Sequence, residues 1–163
     1  MKAGVLLAVV LAAHAAPAAP AAPSGSGAAP RVSTRRLEAA AIAAVRRDQQ
    51  VAVAALWEDR VPPSAARILV GSALAALAVA AAQRRAEGIR VRMLRSALRI
   101  ISVRLARGGD AAEVIARWSQ RLRPARLDGT SAGRPISLDE EAALFLRRAP
   151  RSGRFVVSRV ELR

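Results

Sequence analysis

The stretch Ile89-Arg90-Val91-Arg92-Met93, with Ile101-Ser102-Val103-Arg104-Leu105 after it, alternates apolar and polar side chains with a period of two. That period belongs to a strand with one buried and one solvated face. Between the two halves, Ser96-Ala97 interrupts the pattern. Arg107-Gly108-Gly109-Asp110 then reads as a hairpin turn. On the far side, Val114, Ala116, Trp118 and Leu122 alternate with Ile115, Arg117, Ser119, Arg121 and Arg123. One face of the pair is apolar and the other cationic.

Downstream, Pro124 to Pro135 is rich in turn formers and includes Asp128-Gly129. The segment 138–147 is ambiguous: Ser137-Leu138-Asp139-Glu140 matches a helix capping box, whereas Ala142, Leu144 and Leu146 alternate as in a strand. A strand is favoured, because Arg148 to Gly153 then becomes a hairpin loop into a final strand from Arg154 to Leu162. Apolar residues on both sides of that last strand predict an interior position.

Upstream of Gly88 the period is helical. Ser33 or Thr34 can cap a helix with Leu37, Ala41, Ala44 and Val45 on one face. A second short helix is predicted from Gln49 to Trp57, stopping before Val61-Pro62-Pro63. A third is predicted from a Ser64 cap to Gly88. Its run Ile68 to Ala82 holds 15 apolar or small residues, seven of them Ala. That is short of the roughly 20 needed to span a bilayer, so the run is read as a soluble helix covered on most sides.

The chain begins with Met1-Lys2, an apolar core from Ala3 to Ala13 and a small-x-small site at Ala13-His14-Ala15. Residues 1–15 therefore have the form of a cleavable secretory signal, which places the protein outside the cytoplasm, at the cell envelope or beyond it. Residues 16–32, with three Ala-Ala-Pro units and Ser-Gly-Ser-Gly, read as a semi-extended tether. The folded unit is then 33–163, an α+β domain with amino-terminal helices packed on a curved antiparallel sheet of four or more strands.

The order of these elements, the long third helix, and the closing pattern Leu144-Phe145-Leu146-Arg147-Arg148 with Arg154-Phe155-Val156-Val157-Ser158-Arg159-Val160 resemble the nuclear transport factor two-like superfamily. More narrowly, they resemble its small secreted members from high-GC bacteria. The resemblance covers 33–163 and implies a cystatin-like cone. It also implies a choice of roles, since the superfamily holds isomerases, dehydratases and hydrolases alongside noncatalytic binding and assembly modules.

The residue inventory narrows that choice. In 163 residues with a net charge of +15 there is no Cys or Tyr, and the single Lys and single His are Lys2 and His14. If the signal is removed, what remains has 26 Arg against 12 acids, or +14, and no His, Cys, Lys or Tyr. Cysteine nucleophiles, lysine Schiff bases, Ser-His-Asp triads and zinc sites are excluded. The Tyr or His donor that the superfamily resemblance implies for catalysis is missing too. A noncatalytic module without cofactor or metal is therefore expected.

Carboxylates are the remaining chemistry. Asp139, Glu140 and Glu141 are contiguous; in a strand Asp139 and Glu141 share a face and Glu140 points the other way. An acid/base or hard-cation site is the sharp reading, and a solvated strand start offsetting nearby arginines is the blander one favoured here. Trp57 and Trp118 are candidate linings of a cavity inside the cone, or its bulky core.

Ten arginines fall between 88 and 126 against Asp110 and Glu113. Arg90, Arg92, Arg117, Arg121 and Arg123 are the candidate anion-binding residues, because guanidinium groups on one strand face suit phosphate or carboxylate. The partners expected are an acidic protein surface, an anionic envelope polymer or lipid headgroups. A second copy of the chain is a further candidate. Nucleic acid is disfavoured by export and by the scarcity of stacking aromatics among the arginines. Two alternatives stand beside this reading: a basic surface that is only compositional bias, and a small-molecule pocket, binding or weakly catalytic, inside the cone.

Overall fold

In a computed structural model that describes residues 33–58 and 60–163, two helices cover one face of a four-stranded sheet. The signal at 1–15 and the tether at 16–32 lie outside the described residues. Helix α1 (Thr34–Glu58) is followed by a short 3-10 turn (Ala65–Arg67) and helix α2 (Gly71–Ala86). Strands β1 (Ile89–Leu105), β2 (Ala111–Arg126), β3 (Ile136–Arg148) and β4 (Phe155–Leu162) then form an antiparallel meander in the order β1-β2-β3-β4. This is the α+β cone expected from the sequence, with 138–147 a strand.

Ser33 opens α1, its carbonyl accepting from the Arg36 and Leu37 amides. The two helices expected across 34–57 are one. Ala41, Ala44, Val45, Val51, Ala55 and Leu56 are all buried, so a single stripe at helical spacing carries the helix through the polar run 46–50. The helix expected from Ser64 is instead broken at 68–70. There the Val70 amide donates to Val157 O and the Val157 amide to Ile68 O, at 2.9 and 2.8 Å. Leu69 thus forms a parallel bridge to Val157 of β4, flanked by the backbone bonds of Ile68 and Val70. Gly71, at φ +58, supplies the left-handed turn that restarts the helix.

Helix α2 is covered on one side only: Ala73, Ala80, Ala81 and Arg84 are buried, while Val79 is exposed. The expectation of a helix covered on most sides is corrected. Small alanines, good helix formers, leave little apolar area to hide on the outer side. Among the described residues no helix is long and apolar enough to cross a membrane.

Strand β4 is an edge strand, not an interior one. The 68–70 segment pairs with its free edge, and a register shift opposite Phe145-Leu146 lets Phe155, Val157 and Val160 all reach the main core. That core joins Ala41, Ala44, Val45 and Val51 of α1 to Val114, Ala116 and Trp118 of β2 and to Leu144 and Leu146 of β3. A second cluster, Leu56 with Val91, Leu122 and Leu138, closes one end.

Strand β1 is the other edge, and two register shifts divide it, between Met93 and Arg95 and between Ile100 and Ser102. Leu94 and Ile101 are the extra residues, and both are exposed. Each bulge reverses the parity of the strand beyond it. Leu98, Ile100, Val103 and Leu105 therefore face the core, and Ile101, expected inside, does not.

Candidate functional site

The register of β1 on β2 sets arginine against arginine. Arg92 is opposite Arg123, Arg95 opposite Arg121 and Arg99 opposite Arg117. Directly opposed residues of an antiparallel pair lie on the same face with Cβ atoms about 4.5–5.5 Å apart, and same-face residues repeat about every 7 Å along the strand. All six are exposed. They form a cationic grid on the sheet face away from the helices.

Neutralisation is uneven across that face. Arg117 makes two hydrogen bonds to the Asp139 carboxylate, at 2.8 and 2.5 Å, and Asp139 also accepts from Ser119 Oγ. Its hydrogen bond to Arg117 holds the Asp139 carboxyl below the usual range, and the same bond raises the Arg117 guanidinium. Glu113 is paired with Arg163 and Glu161 with Arg159, whose guanidinium lies 4.1 Å from the Phe145 ring. Arg92, Arg95, Arg121 and Arg123 have no carboxylate partner among the described residues. Where β3 could have supplied one, Ser137 stands opposite Arg121.

Of the five arginines singled out in the sequence, Arg92, Arg121 and Arg123 meet here. Arg117 joins them already paired with Asp139. Arg90 does not: its guanidinium lies 5.9 Å from the Trp57 ring, in a groove at the end of α1 shared with Glu58, Arg60, Arg85 and Leu127. Alternation alone does not single out Arg95 and Arg99, because the Leu94 bulge that sets their parity leaves no mark in it.

Inside the cone is a cavity of about 60 Å³. Asp48, Gln49 and Ala52 reach it from α1, Trp118 and Gln120 from β2, and Glu140 from β3. Leu69, Ala73, Ala76, Leu77 and Val160 complete the wall. Trp118, 7% exposed, is both core and lining, as the sequence allows. Trp57 is neither: at 42% exposed it lies in the groove beside Arg90, outside this cavity.

Burial pushes the Asp48 carboxyl from 3.8 up to about 7, and burial also raises Glu140. Glu140 is the one member of the 139–141 run that turns inward, opposite Trp118. A carboxyl that titrates near neutrality can move a proton at physiological pH. The space has room for a few waters, far less than the roughly 300–1,000 Å³ of a pocket that encloses a ring-sized substrate. Among the described residues no group of three or more His, Cys, Asp or Glu could hold a metal.

Fold and site together define a cone-shaped α+β domain with a small acid-lined cavity and a cationic outer sheet. No family model matches the chain, and neither does any curated protein. Among solved structures it is similar to the intermembrane space region of the chloroplast protein ARC6, with a TM-score of 0.64, 17% identity, and coverage of 82% of this chain and 98% of that one. A ketosteroid isomerase-like protein from Erwinia carotovora atroseptica gives a TM-score of 0.42 at 20% identity, covering 76% of this chain and 89% of that one. At these identities the likeness is one of fold, and only the first is close enough to bear on it.

Proposed function

We propose that the chain is an exported, noncatalytic binding or assembly module of the cell envelope, and that its outer sheet face engages an anionic partner. The observation that carries this reading is the quartet Arg92, Arg95, Arg121 and Arg123, set in two opposed pairs with no carboxylate partner among the described residues. Like charges directly opposite destabilise a sheet, so retaining two such rungs is accounted for by a ligand that neutralises them. Guanidinium groups engage phosphate and carboxylate in two-point hydrogen bonds, which suits lipid headgroups, an anionic envelope polymer or an acidic protein surface.

Export is supported by the signal-like start at 1–15. The fold shared with an intermembrane space region is compatible with work beside a membrane. The absence of His, Tyr, Lys and Cys from 16–163 and the small cavity both support a noncatalytic role.

Retention of the purified chain on heparin and on anionic liposomes tests the reading. Arg95→Ala with Arg121→Ala should reduce retention and flatten its salt dependence far more than Arg35→Ala with Arg36→Ala, which removes equal charge from the exposed start of α1. Equal losses from the two double variants would reduce the face to net charge alone.

A further inference from the structure

The cavity inside the cone lies on the opposite side of the sheet from the arginine grid, and its chemistry is independent of the function proposed for that grid. Two carboxyl groups from different elements open into it, Asp48 from α1 and Glu140 from β3, and neither has a hydrogen bond or ion pair among the described residues. A desolvated carboxylate without a partner is costly, and its two remedies are a proton and a cation. The molecule has 26 arginines, yet none lines this cavity.

The rest of the wall selects the kind of cation. Gln49 donates its side-chain amide to Ser96 Oγ at 2.7 Å, which leaves its carbonyl oxygen as the group available to accept. Gln120 adds a second carboxamide and Trp118 an aromatic ring, whose face attracts an organic cation. A volume of about 60 Å³ accepts a small head group but no ring system. With two carboxylates, the lining falls short of the all-oxygen cage of six or more ligands that calcium requires.

We propose that this cavity is a binding site for a small organic cation, an ammonium or guanidinium head group held by Asp48 and Glu140 against Trp118. Binding requires the carboxylates in their charged form. The site therefore takes its cation as pH rises through about 7, where Asp48 ionises, and binding below that releases a proton. Glu140 is the other ionisable group facing Asp48. The residues contributed by α2, β2 and β4, namely Ala73, Ala76, Leu77, Trp118, Gln120 and Val160, carry no charge, and nor does Leu69.

The test uses the full chain with Trp57→Phe, so that Trp118 is the sole indole reporter. Methylammonium chloride is titrated against sodium chloride at matched ionic strength, with ethanol as the neutral counterpart of similar size. A saturable change in Trp118 emission at pH 8 is expected for methylammonium. It should weaken roughly thirtyfold at pH 5.5, where about 3% of a group with pKa 7 is ionised. Asp48→Asn and, separately, Glu140→Gln should each weaken it tenfold or more, with cooperative urea unfolding confirming that the variants are folded. The same response to sodium chloride, equal binding of ethanol, or a titration indifferent to pH and to both variants would overturn the proposal.

Discussion

Arg121 stands directly opposite Arg95 on the outer sheet face, and its neighbour across the other ladder is Ser137. Two guanidinium groups therefore share one rung with no carboxylate beside them. Replacing Arg121 by Ser should stabilise the free protein by roughly 0.2–1 kcal/mol, the usual range for a cross-strand pair. The gain should shrink at high salt, where the Debye length falls to about 3 Å at 1 M. Urea unfolding of both proteins at low and high salt measures it. A destabilised variant would mean that the stem of Arg121 contributes more by packing than its charge costs.

Arg117 tests the opposite end of the same face. Its hydrogen bonds are the largest influence lowering the Asp139 carboxyl, with Ser119 adding a smaller one. In Arg117→Ala, Asp139 should titrate higher than in the wild type and no longer below an ordinary Asp, because desolvation, which raises it, outweighs the remaining Ser119 bond. A depressed carboxyl contributes stability above its unfolded pKa and loses it as pH falls through the folded value. The variant should therefore lose less stability on acidification below about pH 4. Carboxyl carbon shifts followed by NMR, with urea midpoints from pH 6 to pH 2, check both outcomes.

How far the sequence could be read depends on where its periodicity is unbroken. The inward set of β3, with Ala142, Leu144 and Leu146, continues back through Glu140 at the same parity, so the inward turn of Glu140 was legible even though the acidic run looked solvated. Asp48 was legible in the same sense: Ala44, Asp48, Val51 and Ala55 follow one helical stripe. Dividing the helix at Gln49 hid it. The bulges were harder, because both fall in apolar doublets, Met93-Leu94 and Ile100-Ile101, and nothing local says which member is extruded. That choice is made by pairing with β2, a tertiary interaction, and it also decides which arginines share a face. The edge position of β4 was illegible for a similar reason. Its free edge is paired with residues 68–70, more than eighty positions away.

Gly109 locks the β1–β2 turn to α1. It adopts φ +70, and a Cβ at this position would come within 2.5 Å of Leu37 Cδ1 near the start of the helix. Gly109→Ala should therefore destabilise by about 1–3 kcal/mol, combining left-handed backbone strain with displacement of Leu37. Gly108→Ala is the control: it also lies at positive φ, but its Cβ would meet nothing within 4 Å. A larger loss at 109 than at 108 in urea unfolding isolates the contact with Leu37. Equal losses would assign the whole effect to backbone conformation.

Asp48 should make stability depend on pH in the sense opposite to Asp139. Its folded pKa, about 7, lies above the ordinary 3.8, so the native state holds a proton that the unfolded chain has released across that interval. Stability from this group is complete below about pH 4 and is lost as pH rises towards 7, because unfolding releases a proton throughout that window; above it both states are ionised and the loss is complete. Asn keeps the shape and cannot ionise. Asp48→Asn should therefore match the wild type near pH 4 and become the more stable protein by on the order of 4 kcal/mol at pH 8, the rise from 3.8 to about 7 taken at roughly 1.4 kcal/mol per unit. Urea unfolding at half-unit steps from pH 4 to pH 8 gives the difference curve, whose rise should level off just above neutrality. Methylammonium at pH 8 should then stabilise the wild type and leave Asp48→Asn unmoved, because a ligand raises stability only where the native state binds it. A flat difference curve would place the Asp48 carboxyl in contact with solvent, and the cavity would then lack the desolvated acid on which its cation chemistry depends.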